Sequence, residues 1–490
     1  MTALAAVLAA VALPMVAPAP QQMELDVATR VSLAPDRTVA LRVARDVEAA
    51  QDWAARNLKF WFGDKAPSVK AALSDAPDIP SPEGYALTAD EGGVAIRAHG
   101  LKGVRLALYT LRQLAVPARG TLTVTHYELP KAAIRDWPRY AFRGIHLEVP
   151  SAPDFSEWEL ERLIRLAAYY KYNYAVLEPW GSYASERYPF VGGPHAFLNR
   201  AVIRRLCALG DELGIRLLPQ WNVFGHATLE PAQGGHEILV PHPEYAPLFE
   251  PLGGWNWCLT NPEAKKTLAG LVEEMIDWFD NPPYVHIGCD EAEPPSCADC
   301  MKADYPKLFV DHIRTLHDVI ARHGAKTMMW HDMLLDAADP RWKGFKRNGD
   351  AAFAKAAEEG LPRDIVICEW YYSMPRDDGE FPTIRHFREL GFPLLFCPWE
   401  GVVTGRAASQ FGQKVGMDGF LQTVWHRCYG KYTPSIFANG SFNGWGTEVG
   451  EFLSSNALRF KTHWRDICRD MGLTDREKVT LFKRGWNNDR

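Results

Sequence analysis

After its first twenty residues the chain has no apolar run long enough to cross a membrane, so no span is expected in the mature protein. Basic residues are in short supply. Lys and Arg total 54 against 60 Asp and Glu, a net charge of −6. Without clustered cations to neutralise phosphates, a nucleic-acid partner is not expected. Cysteine is sparse and odd in number. There are nine in 490 residues, mostly in apolar contexts such as those of Cys368 and Cys397, which excludes a disulfide scaffold and fits buried thiols. Metal ligands are few as well. Cys297-x-x-Cys300 offers two where a structural zinc site needs four. The pair reads as a loop staple or as plain thiols, and neither a metal nor a cofactor is expected.

The N-terminus is the one long apolar stretch. Residues 2–18 are alanine-rich, and the small residues Ala17, Pro18 and Ala19 close the run. This is the pattern of a secretory signal core, though the usual basic start is missing. Residues 1–22 are therefore expected to be a signal peptide or a disordered start, and the protein to be secreted or periplasmic.

Two patterns follow. Over 23–130 the chain reads as a small α+β domain. It has a strand over 23–35 and a helix over 47–62. A Pro-, Ser- and Asp-rich loop follows from Ala66 to Gly84. The alternating runs YALTAD and GVAIRAH, turning at Glu91-Gly92-Gly93, predict a hairpin, and residues 101–115 a second amphipathic helix. From Ala141, strands alternate with helices. Eight apolar candidates occur at 142–149, 173–180, 215–222, 284–291, 326–332, 364–371, 393–400 and 418–425. Eight βα units predict an α/β fold, a (β/α)8 TIM barrel over 138–445. The helix over 262–279 is the clearest, with Asn261 as cap and Pro262 in the first turn. Residues 446–490 are expected to be a helical extension.

Function in such barrels collects at the C-terminal ends of the strands. Here those ends carry carboxylates interleaved with aromatics: Glu148, Glu178, Trp180, Trp221, Asp290, Glu291, Trp330, Asp332, Trp370, Tyr371, Tyr372, Trp399, Glu400 and Trp425. Tryptophan stands at six of the eight ends. Apolar ring faces with acceptors between them suit a pyranose, so a glycan or glycoconjugate is the expected substrate. HIGCDEAE (286–293) is the sharpest motif. Asp290 and Glu291 stand side by side, and an ionised Asp290 is expected to raise the Glu291 pKa and keep it able to donate a proton. Neighbours on one strand end share one side of the sugar. They do not fit schemes in which two carboxylates face each other across the ring.

HIGCDE resembles the His-x-Gly-Gly-Asp-Glu segment of glycoside hydrolase family 20, the β-N-acetylhexosaminidases, with Cys289 in place of the second Gly. FRGIHLEV resembles the family's first barrel strand, FGHA (224–227) its third-strand loop, and residues 84–115 the small domain before its barrel. The resemblance covers roughly residues 23–430. Glu178, Gly225-His226 and the Cys297/Cys300 pair are closest to the hexosaminidase D-like branch, while Trp425-His426-Arg427 departs from the common Trp-x-Glu. The resemblance implies removal of terminal β-linked N-acetylhexosamine (GlcNAc or GalNAc) by a retaining, substrate-assisted route. Asp290 would orient the acetamido group and Glu291 act as general acid, then base. Arg143 would bind sugar hydroxyls, with His226 matched beside it. Trp330, Trp370 and Trp425 would wall the acetamido pocket, Tyr371 or Tyr372 would bond its carbonyl, and Asp332 and Glu178 would reach hydroxyls. Trp399 joins the binding set. Another acetamido-assisted glycosidase and a catalytically silent carbohydrate-binding protein are the alternatives.

Overall fold

A computed structural model of the chain describes residues 16–119, 123–153, 155–228, 238–373, 379–425 and 434–447. Residues 1–15 of the expected export segment, His426, and residues 448–490 of the expected extension lie outside them. The chain divides into two compact units. Among the described residues no helix is long and apolar enough to cross a membrane.

The first unit is an α+β sheet domain. Its strands are β1 (Gln22–Ser32), β2 (Thr38–Val43), β3 (Ser68–Leu73), β4 (Tyr85–Asp90), β5 (Gly93–Ala98), β6 (Val116–Arg119) and β7 (Val124–Asp136). They run β1-β7-β4-β5-β2-β3, with β6 paired to β7. The predicted hairpin is β4–β5, with Asp90 opposite Gly93. Helices occupy Val47–Phe62 and Leu101–Leu114, as the periodicity predicts, and bring Trp53 edge-on to Tyr109. Three boundaries differ from expectation. Val16 and Ala17 are buried, and Ala17 exchanges hydrogen bonds with the Gln113 side chain, so the described domain starts ahead of residue 23. SVKAAL within the expected 66–84 loop is β3. The domain also continues past Pro130 to Asp136. Proline is tolerated there because it faces Arg30 across the register shift between Asp26 and Arg30, where the ladder is already broken.

Asp136 closes this unit, which includes residues 169–171 and Trp445. Its carboxylate accepts from the Tyr85 hydroxyl (2.7 Å), the Trp445 indole (2.7 Å), the Gln21 amide (3.0 Å) and the Lys171 ammonium (3.0 Å). Both members of the Lys171–Asp136 pair are fully buried. Removing one partner of such a pair strands a charge. Lys171→Met should destabilise the protein by about 3–5 kcal/mol, and the double variant Lys171→Met/Asp136→Leu should recover part of that loss. Denaturant unfolding would test this, and equal stability of Lys171→Met and the parent would refute it.

The second unit is the barrel. All eight predicted strands are present: β8 (Phe142–Pro150), β9 (Tyr174–Trp180), β10 (Arg216–Pro219), β11 (Tyr284–His286), β12 (Lys326–Trp330), β13 (Val366–Trp370), β14 (Leu394–Cys397) and β15 (Gly419–Gln422). They pair in parallel in the order β10-β9-β8-β15-β14-β13-β12-β11. A bridge between Gln220 and His286 closes the ring, with the Trp221 and Val223 amides donating to the His286 and Ile287 carbonyls. The interior is filled by Phe142, Val176, Leu218, Met328, Trp330, Val366, Cys368, Leu395, Cys397 and Leu421, so the barrel is a packed core with its polar positions left at the rim. Helix Pro262–Trp278 starts where predicted, and the Asn261 side chain accepts from the Glu263 and Ala264 amides.

Candidate active site

Beyond β11 the backbone turns sharply. Gly288, Cys289 and Glu291 all have positive φ (67°, 80° and 46°). A side chain on Gly288 would collide with the Asn222 amide, its Cβ 2.0 Å from Oδ1. The loop after β10 comes equally close. A Cβ on Gly225 would lie 2.1 Å from the Asp290 carbonyl oxygen, and His226 next to it also has positive φ (55°). Further hydrogen bonds fix the turn. The Glu291 amide donates to Asp332 Oδ2 (2.9 Å), and the Trp255 indole donates to the Glu291 carbonyl (2.7 Å).

These constraints set Asp290 and Glu291 side by side with His226 between them. His226 Nε2 is 3.4 Å from Asp290 Oδ2 and 3.6 Å from Glu291 Oε2. Burial alone would depress the His226 pKa, but the Asp290 carboxylate, with Glu291 and Glu178, raises it to about 10. The Glu291 pKa is the reverse of expectation. The His226 imidazole beside it, opposed by burial and helped by Lys346, lowers it to about 2. Lys346 Nζ sits 2.6 Å from Glu291 Oε1 and 4.9 Å from the centre of the Trp370 ring. The two neighbouring bases therefore outweigh burial, which alone would raise the Glu291 pKa. Asp290 Oδ1 is buried, with no hydrogen-bond partner among the described residues.

The pair opens into a cleft of about 790 Å³, counting its open mouth, lined by Glu148, Glu178, Trp180, Asn222, His226, Asp290, Glu291, Trp370, Tyr372, Trp399 and Trp425. Trp370 and Tyr372 lie 5.1 Å apart between ring centres, and Tyr372 and Trp399 5.6 Å. The Trp425 indole donates to the Tyr372 hydroxyl. Glu178 is pinned at 2.9 Å from His146 Nε2 and accepts from Asn222 Nδ2 (2.7 Å). Burial resists its ionisation, but these contacts lower its pKa to about 2.

Four expected binding residues are elsewhere. Arg143 is the second residue of β8, five residues before Glu148, which puts it about 16 Å away toward the opposite end of the barrel. It is buried there and donates to the Tyr140 carbonyl. Trp330 is part of the barrel core, 4.3 Å from His286 and 5.6 Å from Trp425 between ring centres. Tyr371 stacks on Phe345, because successive side chains at a strand end face opposite ways and Tyr372 takes the cleft side. Asp332 is fully buried beneath Glu291, holding its amide, the Asn348 amide (2.7 Å) and the Trp370 indole (3.1 Å). Burial and the Asp290 charge raise the Asp332 pKa to about 7. It holds the turn that carries Asp290 and Glu291.

Two sequence models of one family match the chain. "Glycosyl hydrolase family 20, domain 2" covers residues 13–137 and "Glycosyl hydrolase family 20, catalytic domain" residues 172–400. The chain belongs to glycoside hydrolase family 20. Among curated relatives, it is 26% identical to the β-N-acetylhexosaminidase of Cellulomonas fimi, over 67% of each chain. It is 24% identical to the rat β-hexosaminidase subunit alpha, over 73% of this chain and 71% of the relative. Among solved structures, an exo β-N-acetylglucosaminidase from Vibrio harveyi superposes with a TM-score of 0.66 at 18% identity, covering 94% of this chain and 77% of the other. A β-N-acetylhexosaminidase from Streptomyces coelicolor gives 0.66 at 17%, covering 94% and 98%. At these identities the structural likeness speaks for the fold.

Within this family 20 glycosidase, Asn222, His146 and Lys346 had no role assigned from sequence, whereas Glu148 and Trp180 already stood among the strand-end carboxylates and aromatics. Asn222 stands at a predicted strand end, so position alone could have assigned it to the cleft. Lys346 lies in a loop far from any motif and gave no signal. Gly225 yields a direct test. A Cβ at this position would meet only backbone, the Asp290 carbonyl and Ala292, so no flexible side chain can give way. Gly225→Ala should shift the Asp290–Glu291 turn and lower kcat/KM about 100-fold while circular dichroism stays native. Full activity would show that the close approach is dispensable.

Proposed function

We propose that this glycosidase releases terminal β-linked N-acetylhexosamine, GlcNAc or GalNAc, with the substrate's own acetamido oxygen as nucleophile. The observation that carries the reading is the adjacent Asp290–Glu291 pair, in which Asp290 Oδ1 is a buried acceptor with no hydrogen-bond partner among the described residues. An acetamido N–H supplies the missing donor. Held there, the acetamido oxygen attacks the anomeric carbon as the glycosidic bond breaks, and a cyclic oxazolinium forms. Glu291 protonates the leaving oxygen, then takes a proton from the water that opens the ring.

The cleft supports this assignment. The Tyr372 hydroxyl already accepts from the Trp425 indole and lies 3.5 Å from Thr423 Oγ1. Its own proton remains to be donated to an acetamido carbonyl. Trp180, Trp370, Trp399 and Trp425 offer flat apolar faces to the sugar and methyl groups. Glu178, with its oxygens held by His146 and Asn222, is a fixed acceptor for hydroxyls.

The test compares leaving groups and the 2-substituent together. Aryl N-acetylhexosaminides should be hydrolysed and plain aryl glucosides should not, and a thiazoline analogue of the intermediate should inhibit. Equal turnover of glucosides would end the substrate-assisted reading. The two acids should then separate. Glu291→Gln should lower kcat/KM by about 10²–10⁴-fold for sugar leaving groups and much less for nitrophenol, which departs without a proton. Asp290→Asn should slow both alike. The same leaving-group dependence in both variants would mean that these roles are wrongly divided.

A further inference from the structure

The Cys297-x-x-Cys300 pair does not stand alone. The loop before helix Pro262–Trp278 brings Cys258 and Glu250 to it, and one ligand atom from each of the four lies within 4.8 Å of the others. Cys258 Sγ is 3.7 Å from Cys297 Sγ and 3.8 Å from Cys300 Sγ. Tetrahedral zinc with Zn–S bonds of about 2.3 Å sets its sulfurs about 3.8 Å apart, whereas a disulfide needs about 2.05 Å.

Glu250 gives an independent pointer. The residue is 2% exposed. Its Oε2 accepts the Ser296 and Cys297 amides, each at 2.7 Å. Its Oε1 is buried with no hydrogen-bond partner among the described residues. A buried carboxylate oxygen beside three sulfurs is a position that a cation would stabilise. The surroundings also suit thiolates. The Cys300 amide donates to Cys297 Sγ (3.2 Å), and Thr260 Oγ1 lies 3.2 Å from Cys300 Sγ. Such donors spread the negative charge that sulfur ligands bring to a metal.

We infer that Cys258, Cys297, Cys300 and Glu250 form a structural zinc site that fastens the loop carrying the catalytic pair. Three sulfurs and one oxygen at tetrahedral spacing suit zinc better than the oxygen-seeking magnesium or calcium. All four positions are filled by protein, so the metal has a structural part and none in the chemistry. Cys297 is seven residues beyond Asp290 on the same loop. The segment between Glu250 and Cys258 holds that loop at two further points. Trp255 donates to the Glu291 carbonyl, and the Asn256 side chain donates to the Glu293 carbonyl (2.6 Å) and accepts from its amide (3.1 Å). The metal would lock these two segments together from outside the cleft.

The inference does not rest on the proposed reaction, and its test reads metal rather than turnover. The full-length protein, purified without chelator or affinity metal, should carry one zinc per chain by elemental analysis and native mass spectrometry. Cobalt exchanged into the site should give thiolate-to-metal charge-transfer bands. Cys258→Ser and Cys300→Ser should each lose at least nine-tenths of the zinc, whereas Cys207→Ser, a buried thiol elsewhere, should keep it. Glu250→Gln should release zinc more readily to a chromophoric chelator. If the cysteine variants fail to fold, the parent protein still decides. Folded parent protein that neither carries nor takes up zinc, or a mapped disulfide among the three cysteines, would overturn the site. Zinc retained at full stoichiometry in folded Cys258→Ser and Cys300→Ser would overturn it equally.

Discussion

The site depends on one close approach, Gly225 against the Asp290 carbonyl oxygen. Space for a Cβ is missing there, so the loops after β10 and β11 can lie in only one relation to each other. That relation puts His226 between the two acids. The backbone after β11 runs there through positive φ angles, including those of Cys289 and Glu291, which such residues adopt only when their surroundings hold them. The holding groups are identifiable. Asp332 takes the Glu291 amide, Trp255 donates to its carbonyl, and Asn222 crowds Gly288. Asp332 is held in turn by Asn348 and Trp370, so one wall of the cleft is also a support of the turn.

The barrel was legible because of its burial. Parallel strands covered on both faces read as unbroken apolar runs, and Leu394–Cys397 is apolar and buried at every position. The small domain was harder wherever that logic lapses. SVKAAL is an edge strand with mostly exposed positions, and β7 contains a proline that is harmless only because of a register shift on its partner strand. Neither circumstance is visible in one segment alone.

Within the site, the errors have a common physical origin. A strand end offers residues to the cleft, to the core and to the helices in turn, and proximity in sequence does not say which. Tyr371 and Tyr372 are neighbours, yet one stacks on Phe345 and the other lines the cleft. Trp330 ends its strand within the packed layer beneath. Arg143 was placed by motif likeness, although counting along β8 sets it at the wrong end of the strand. Cys258 and Glu250 were invisible for another reason. They approach Cys297 and Cys300 only through the fold, from some forty residues upstream.

The charge pattern bears on how the proposed general acid obtains its proton. A carboxyl held near a pKa of about 2 is ionised at neutral pH and cannot donate. The adjacent His226, raised to about 10, holds a proton there, and its Nε2 is 3.6 Å from Glu291 Oε2. Without substrate, Glu291 thus sits between His226 and Lys346, the two groups that hold it ionised. A bound sugar changes the balance in a definite direction. Excluding water would raise the cost of each separated charge, and in the proposed reaction the acetamido N–H on Asp290 would weaken that residue's hold on His226. Lys346 is about one-third exposed, so its contact with Glu291 is the one that a substrate can most readily displace. Each change favours moving the proton from His226 to Glu291. In the proposed reaction, acidity at Glu291 would then be created by binding rather than stored in the resting site, and a substrate without the acetamido group would create less of it.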